Sequence, residues 1–345
     1  MRQKDNKTGD LAESRKKDHI ELAFQARQET AAIDSRFWYE PMLSPHPIVF
    51  EEAKPFEFAG KKLRVPVWVS SMTGGTQMAE IINRNLCKAC REFGMGFGLG
   101  SCRSLLEGEK SRLPDFDFRD TIGGEQPFYA NLGIAQLHPF AKNGNWTPVE
   151  ELVQLLRADG LVIHVNPLQE AMQPEGDRFE LSPLEIIRSA VEKTGLRIVV
   201  KEVGQGFGRA SMSELLQLPL QAVEFGAHGG TNFSKLELLR SDEQKMKTFA
   251  PLTQVGHTAE AMVEISNELK EELGEKCRVG ELIVSGGVRD YLDGYYFTQK
   301  SHFRAIYGQA SGFLKHATGD YEDLRAHVIS QLRGYYLAKA FLRIK

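Results

Sequence analysis

Residues 161–170 read Leu161-Val162-Ile163-His164-Val165-Asn166-Pro167-Leu168-Gln169-Glu170: an apolar run, then a break rich in hydrogen-bonding groups. Such a run suits a parallel strand buried on both faces. The pattern recurs outward from here. Apolar runs at Val65 to Ser70, Met95 to Gly98, Phe128 to Leu132, Arg197 to Val200, Ala222 to Phe225, Leu282 to Val284 and Ala305 to Tyr307 complete a set of eight. The first five are spaced by about 30 residues or slightly more, the length of a strand with its crossover helix. Between the runs, Met78 to Phe93, Pro148 to Arg157, Ser182 to Thr194, Ser211 to Leu216 and Thr258 to Leu273 carry helical spacing. Thr147 and Ser182, each followed by proline, read as N-caps. This alternation predicts an α/β fold, a TIM (β/α)8 barrel. A doubly wound sheet ranks lower, because no GxGxxG follows the first strand.

Two features extend a minimal barrel. Ile48 to Val65 alternates apolar and polar residues around Ala59-Gly60, which predicts a hairpin able to plug the barrel floor. Between the sixth and seventh runs, a long stretch rich in Glu and Lys must hold an insertion as well as a crossover. The expected organisation is an N-terminal segment and hairpin over residues 1–64 and a single barrel domain over residues 65–345.

Composition narrows the function. In 345 residues, 43 Lys and Arg oppose 46 Asp and Glu, a net charge of -3, so no overall field favours nucleic acid or an anionic membrane surface. No apolar run approaches the roughly 20 residues that span a bilayer. Met1 to Lys17 lacks the apolar core of a secretory signal, and four cysteines do not make a disulfide framework, so a cytoplasmic protein is expected. Cys87 and Cys90 have CxxC spacing within a predicted helix and no second pair, which reads as core.

In a TIM barrel the active site sits at the C-terminal strand ends. Here those ends read Ser70-Ser71-Met72-Thr73-Gly74-Gly75, Gly98-Leu99-Gly100-Ser101-Cys102-Arg103, Ala130-Asn131-Leu132-Gly133, Lys201-Glu202-Val203-Gly204, Gly226-Ala227-His228-Gly229-Gly230-Thr231 and Ser285-Gly286-Gly287-Val288-Arg289. So many glycines let a large planar or phosphorylated ligand approach the backbone. Gly286 and Gly287 follow the seventh strand, where phosphate sites of this fold are common. His164 and Asn166, two apart on a strand, leave the same face. Pro167 ends the strand and places Gln169 and Glu170 in a loop. Glu170 is a natural ligand for Mg²⁺, which takes one or two carboxylates and completes its shell with water and phosphate oxygens. Lys201, buried directly after a strand, calls for an anionic partner such as a phosphate or a reduced cofactor. Arg15-Lys16-Lys17-Asp18-His19-Ile20 reads as a solvated tail; folded over the barrel mouth, Arg15, Lys16 and His19 would clamp a diphosphate.

Taken in order, these motifs resemble those of the type 2, flavin-dependent isopentenyl diphosphate isomerases. The resemblance runs from about Arg15 to Arg289 through RKxxHI at Arg15 to Ile20, SMTGG at Ser71 to Gly75, GSxR at Gly100 to Arg103 and ANxG at Ala130 to Gly133. It continues through HxNPLQE at His164 to Glu170, KEVGxG at Lys201 to Gly206, GGT at Gly229 to Thr231 and SGGVR at Ser285 to Arg289. It implies an FMN-binding barrel, NADPH to reduce the flavin, Mg²⁺ to bind a prenyl diphosphate, and a homo-oligomer of four or eight subunits. Carried over by residue, Ser71, Met72, Thr73, Ser101, Asn131, Lys201, Thr231, Gly286 and Gly287 would contact FMN. Arg15, Lys16, His19, Ser101, Arg103, His164 and Asn166 would hold substrate, Gln169 would serve the reacting carbons, and Glu170 would bind Mg²⁺. Two stretches depart from the family pattern: Phe233 stands where a tryptophan is usual, and Tyr291 replaces a glycine in the segment after Arg289. An FMN-dependent hydroxy-acid oxidoreductase is the alternative, on the match of Ala227-His228-Gly229-Gly230, but Thr231 and Asn232 stand where such oxidases carry Arg and Gln. A flavin or prenyl-diphosphate binding protein without catalysis is the remaining reading.

Overall fold

The computed structural model describes residues 15–71, 77–173 and 175–345. Its strands are β1 (Phe37–Tyr39), β2 (Phe56–Phe58), β3 (Lys61–Leu63), β4 (Val67–Val69), β5 (Gly96–Gly98), β6 (Phe128–Gly133), β7 (Gly160–Val165), β8 (Ile198–Glu202), β9 (Ala222–Glu224), β10 (Glu281–Ser285), β11 (Arg304–Gln309) and β12 (Leu342–Ile344). Strands β4 to β11 pair in parallel, each with its neighbour in the chain, and β11 returns to β4 to close the barrel. All eight predicted runs are strands of this barrel.

Each barrel strand sends alternate side chains to opposite faces. The outward set joins the helices in one large apolar core. The inward set is a smaller cluster of Trp68, Tyr129, Val162, Val199, Ala222, Ile283 and Ile306. On β5 the inward position is Gly96, where a Cβ would lie 2.2 Å from the Trp68 ring, so one indole fills the space of two side chains.

Below this layer, β2 and β3 form the expected hairpin. Ala59 and Gly60 both take positive φ, 49° and 73°, the geometry of a tight two-residue hairpin turn. Phe58, Ala59 and Leu63 are fully buried against the lumen cluster. The turn is pinned by Tyr129, whose hydroxyl donates to the Ala59 carbonyl at 3.0 Å, and by Glu281, which accepts from the Ala59 N–H at 2.8 Å. The floor is therefore closed, and a ligand has only the opposite end to enter.

The helices follow the predicted stretches: Gln77–Phe93, Thr147–Leu155, Pro183–Lys193, Arg209–Leu216 and Ala259–Leu273. Ser182 is the N-cap of its helix, in a capping box with Glu185. Thr147 is not a cap: the helix begins at Thr147 itself, Trp146 holds the cap position, and the Thr147 N–H donates back to Asn145. The insertion after β9 folds as helices Phe233–Arg240 and Glu243–Phe249 and the 3-10 turn Ala250–Gln254, and the first of these packs on helix Pro167–Met172. The C-terminal helix Tyr321–Phe341 leads into β12, which pairs antiparallel with β1. Among the described residues, no helix is long and apolar enough to cross a membrane.

Candidate active site

Two residues beyond the apolar lumen layer, every barrel strand presents one further inward position: Ser70, Gly98, Asn131, His164, Lys201, Glu224, Ser285 and Gly308. The lumen thus changes from apolar to polar within one pleat. Above this ring two open cavities meet. The first, about 560 Å³, is bordered by Ser70, Ser71, Lys201, Glu224, Thr231, Gly286, Gly287 and Gln309. The second, about 450 Å³, is bordered by Gly100, Ser101, Asn131, His164, Gln169 and Phe233. Ser71, Lys201, Val203 and Phe233 belong to both.

The first cavity fits a phosphorylated flavin. Its far end is a cradle of loops packed backbone to backbone: a Cβ on Gly229 would lie 3.1 Å from the Gly287 Cα, and one on Gly230 would lie 3.3 Å from the Gly286 Cα. Gly286 and Gly287 hold φ of 85° and 73°, and a side chain at 286 would meet the Ala227 carbonyl at 2.1 Å. Ser70, Ser71, Glu224 and Gln309 keep buried polar atoms without a partner among the described residues. Such atoms are costly unless a ligand or water satisfies them. Met72 and Thr73 lie outside the described residues.

The end of β11 and the start of the next helix, Gly308 to Gly312, also border this cavity and were not expected from the sequence. The segment after Arg289 instead forms helix Tyr291–Lys300, one strand before this stretch. Tyr291 is remote from the cavity: its ring fills the space left by Gly334 on the C-terminal helix. The missed signal was the small-residue run Gly308-Gln309-Ala310-Ser311-Gly312.

Lys201 is buried, and its ammonium donates to the Glu202 carbonyl at 2.9 Å. Glu202 accepts three backbone N–H groups, from Gly204, Gln205 and Gly206, at 2.6 to 2.7 Å. Burial raises the Glu202 pKa, and those donors and Lys201 oppose the rise. The carboxylate ties down the loop under Thr231 and Asn232.

In the second cavity, the Asn131 amide donates to the Leu99 carbonyl at 2.9 Å, which turns its oxygen toward His164 Nδ1 at 2.8 Å. The histidine therefore carries its proton on Nδ1 and offers Nε2 as an acceptor. Burial and the charge of Lys201 push its pKa down to about 3. Pro167 does not lead into a loop, as the sequence reading had it. It starts the short helix Pro167–Met172, which carries Gln169 and Glu170, because proline is tolerated in a first helical turn. Asn166 holds the N-cap position without a side-chain cap bond, and its amide donates to Glu170 at 2.9 Å and to Gln169 at 3.3 Å. Glu170 is buried and also accepts from the Asp177 N–H at 3.1 Å. Asn166 Oδ1 is buried and unpartnered. These are hard oxygen donors suited to Mg²⁺ with water and phosphate completing the shell. Among the described residues, no three His, Cys, Asp or Glu side chains form a metal cluster.

Gln169 donates to Glu237 at 3.1 Å, and Glu237, 4% exposed, also accepts from Gln173 and Arg240. Sequence reasoning missed Glu237, which lies 68 residues away on the inserted helix. Arg103 stands half-exposed at the rim, paired with Glu107 at 2.6 Å and Asp177 at 3.4 Å. Residues 15–22 are helical and exposed, and no hydrogen bond or ion pair joins Arg15, Lys16 or His19 to the mouth among the described residues.

No family model matches the chain. The isopentenyl-diphosphate delta-isomerase of Vibrio campbellii is 33% identical over 274 residues, 79% of this chain and 76% of that protein. That of Chlorobium chlorochromatii is 32% identical over 306 residues, 83% of this chain and 81% of that protein. The Mycolicibacterium gilvum enzyme is 33% identical over 240 residues, 69% of this chain and 65% of that protein. Among solved structures, a mutant flavocytochrome b2 with pyruvate bound matches with a TM-score of 0.57 at 14% identity, over 88% of this chain and 72% of that one. A mandelate oxidase mutant with the monooxide FMN adduct matches at 0.53 and 11%, over 90% of this chain and 88% of that one. At such identities these two matches establish the barrel alone.

Proposed function

This chain belongs to the isopentenyl-diphosphate delta-isomerase family, and from that premise we propose that it interconverts isopentenyl and dimethylallyl diphosphate on reduced FMN, with Mg²⁺ on the diphosphate and NADPH as the flavin's reductant. The observation that carries this reading is the junction of the two cavities. A glycine-cradled cavity with unsatisfied polar atoms opens, through Ser71, Lys201, Val203 and Phe233, onto one bordered by Gln169, whose amide Glu237 holds from behind the wall.

The reaction adds a proton to one alkene carbon and removes another from its neighbour, with no net redox change. Bound, reduced FMN would supply an electron-rich face and an exchangeable proton beside those carbons. Ser71, Lys201, Thr231, Gly286 and Gly287, with the stretch from Gly308 to Gly312, would hold it, Met72 and Thr73 joining them. Gln169 cannot swing freely, since Asn166 and Glu237 grip opposite ends of its amide. It therefore presents a fixed dipole at the site of proton movement. Val203 and Phe233 limit water there, which favours proton transfer to carbon over capture of the developing tertiary cation. Ser101, Arg103, His164 and Asn166 would receive the diphosphate, with Glu170 and Asn166 Oδ1 on its Mg²⁺. His164 can donate to a phosphate only by gaining a proton at Nε2, a change that the substrate's negative charge favours. Residues 1–64 would serve as the substrate-capping segment and hairpin of the barrel over 65–345, bringing Arg15, Lys16 and His19 to the diphosphate. Exposed Trp38, Tyr39, Met42 and Leu43 support assembly into a homo-oligomer of four or eight subunits.

No observation favours the oxidase alternative. Thr231 stands where that class carries an arginine for the substrate carboxylate and offers no charge there, and Asn232 is used to cap helix Phe233–Arg240 by accepting from the Lys235 N–H. The test is anaerobic incubation with isopentenyl diphosphate, FMN, NADPH and Mg²⁺. Dimethylallyl diphosphate formed without matching NADPH consumption is the expected result. Flavin reduction by lactate or glycolate, with no isomer formed, would overturn it.

A further inference from the structure

Glu224 is the inward residue of β9 in the polar ring and is 1% exposed. Neither of its carboxylate oxygens has a hydrogen-bond partner among the described residues. The other buried carboxylates of the mouth are all supplied with donors: Glu202 by three backbone amides, Glu170 by Asn166 and Asp177, Glu237 by Gln169, Gln173 and Arg240. Lys201 is the register partner of Glu224 on β8, but its ammonium donates to the Glu202 carbonyl and makes no ion pair with Glu224. Burial raises the Glu224 pKa, and Lys201 and the nearby Ser70 and Ser285 hydroxyls oppose the rise, yet neither serine makes a well-formed hydrogen bond to it, and Ser285 Oγ already accepts the Gly226 N–H at 3.0 Å. On β11 the ring position is Gly308, so no side chain fills the slot beside these serines.

A fully buried carboxylate aimed into a cavity and lacking donors is costly in the free protein. Its environment specifies the missing partner as a neutral donor group, because Lys201 already supplies the local positive charge. Sheet order then narrows the choice. Lys201 on β8, Glu224 on β9 and Ser285 with Gly286 and Gly287 on β10 are consecutive around the barrel. A ligand with its ring against Lys201 and its phosphate in the glycine cradle must cross β9 between the two. In FMN that crossing portion is the ribityl chain, a polyol.

We propose that Glu224 is the acceptor for the ribityl hydroxyls of the bound flavin, so that Ser70, Glu224 and Ser285 form a polyol-recognition subsite. The proposal rests on the reading of the first cavity as the FMN site.

The test titrates apoprotein with FMN and with an isoalloxazine bearing a five-carbon alkyl phosphate, which keeps ring and phosphate but has no hydroxyls. Wild type should favour FMN, and Glu224→Leu should lose about 10- to 100-fold in FMN affinity while binding the hydroxyl-free analogue as before, since hydrogen bonds to a charged acceptor carry that range. Glu224→Gln, which keeps one acceptor oxygen, should fall between and serves if the leucine variant does not fold. Thermal unfolding of the variant apoproteins checks that each is folded before its affinities are compared. Equal losses for both flavins, or no preference in wild type, would overturn the polyol assignment. Wild type that bound neither flavin would overturn the FMN reading beneath it.

Discussion

Gln169 and His164 show how single side chains are set by partners far away in the chain. Gln169 is locked by Asn166 and Glu237, so Gln169→Ala should lower turnover by about 100-fold, within the span of positioned proton-transfer groups, while bound FMN per subunit stays at the wild-type level. Flavin absorbance and initial rates check this; loss of FMN would mark a structural role instead. Glu237→Gln should act in the same direction but less, since its one remaining oxygen can still accept from Gln169 and Gln173 while the charge and the acceptor for Arg240 are lost. His164 gives a stability prediction. Its pKa falls from 6.5 to about 3 on folding, so the unfolded chain binds the extra proton. Its stabilising share is present above pH 6.5 and is lost as pH falls toward 3, with a slope of about 1.4 kcal/mol per pH unit for one proton. Urea unfolding of apoprotein between pH 6 and 4 should show that slope reduced by one proton's worth in His164→Asn.

Among the elements, the floor hairpin was legible because strict alternation around Ala59-Gly60 carries both its pairing and its turn. Phe58 is fully buried in the plug beneath Trp68 and Tyr129, so Phe58→Ala should cost about 3 to 5 kcal/mol, measured by urea unfolding. The barrel strands were legible for a different reason: both faces of each are apolar, and short runs of that kind have few other uses. Short helices were not. Pro167 reads equally well as the end of a strand and the start of a turn of helix, and only the packing of Pro167–Met172 against Phe233–Arg240 selects the helix. Thr147 failed as a cap because the helix starts at Thr147 itself, with Trp146 at the cap position and Asn145 accepting the Thr147 N–H.

For the whole molecule, thiol reactivity reports the core. Cys87, Cys90 and Cys102 are fully buried, Cys277 is partly exposed, and burial pushes the Cys102 thiol up to about 12. Native protein should show one accessible thiol toward a disulfide reagent and all four after denaturation. Fast reaction of a second thiol would place Cys87, Cys90 or Cys102 outside the core. Assembly is the second prediction at this scale. Trp38 is 57% and Met42 89% exposed; Trp38→Glu with Met42→Glu should shift the protein to smaller species in light scattering, with barrel stability little changed.

The order of strands, the plugged floor, and the residue types at the strand ends were determined by the sequence, because periodicity and turn chemistry act between near neighbours in the chain. Asn131, His164 and Lys201 could be placed at the mouth on that basis alone. Glu237 beside Gln169, Glu224 alone on β9 and the stretch from Gly308 to Gly312 were decided by the tertiary structure. Closure of the barrel brings β11 back to β4, and the insertion folds its helix over the helix after β7. The bonds of Glu237 to Gln173 and Gln169 span 64 and 68 positions and the β11–β4 pairing far more, separations over which neither spacing nor propensity in the chain carries a signal.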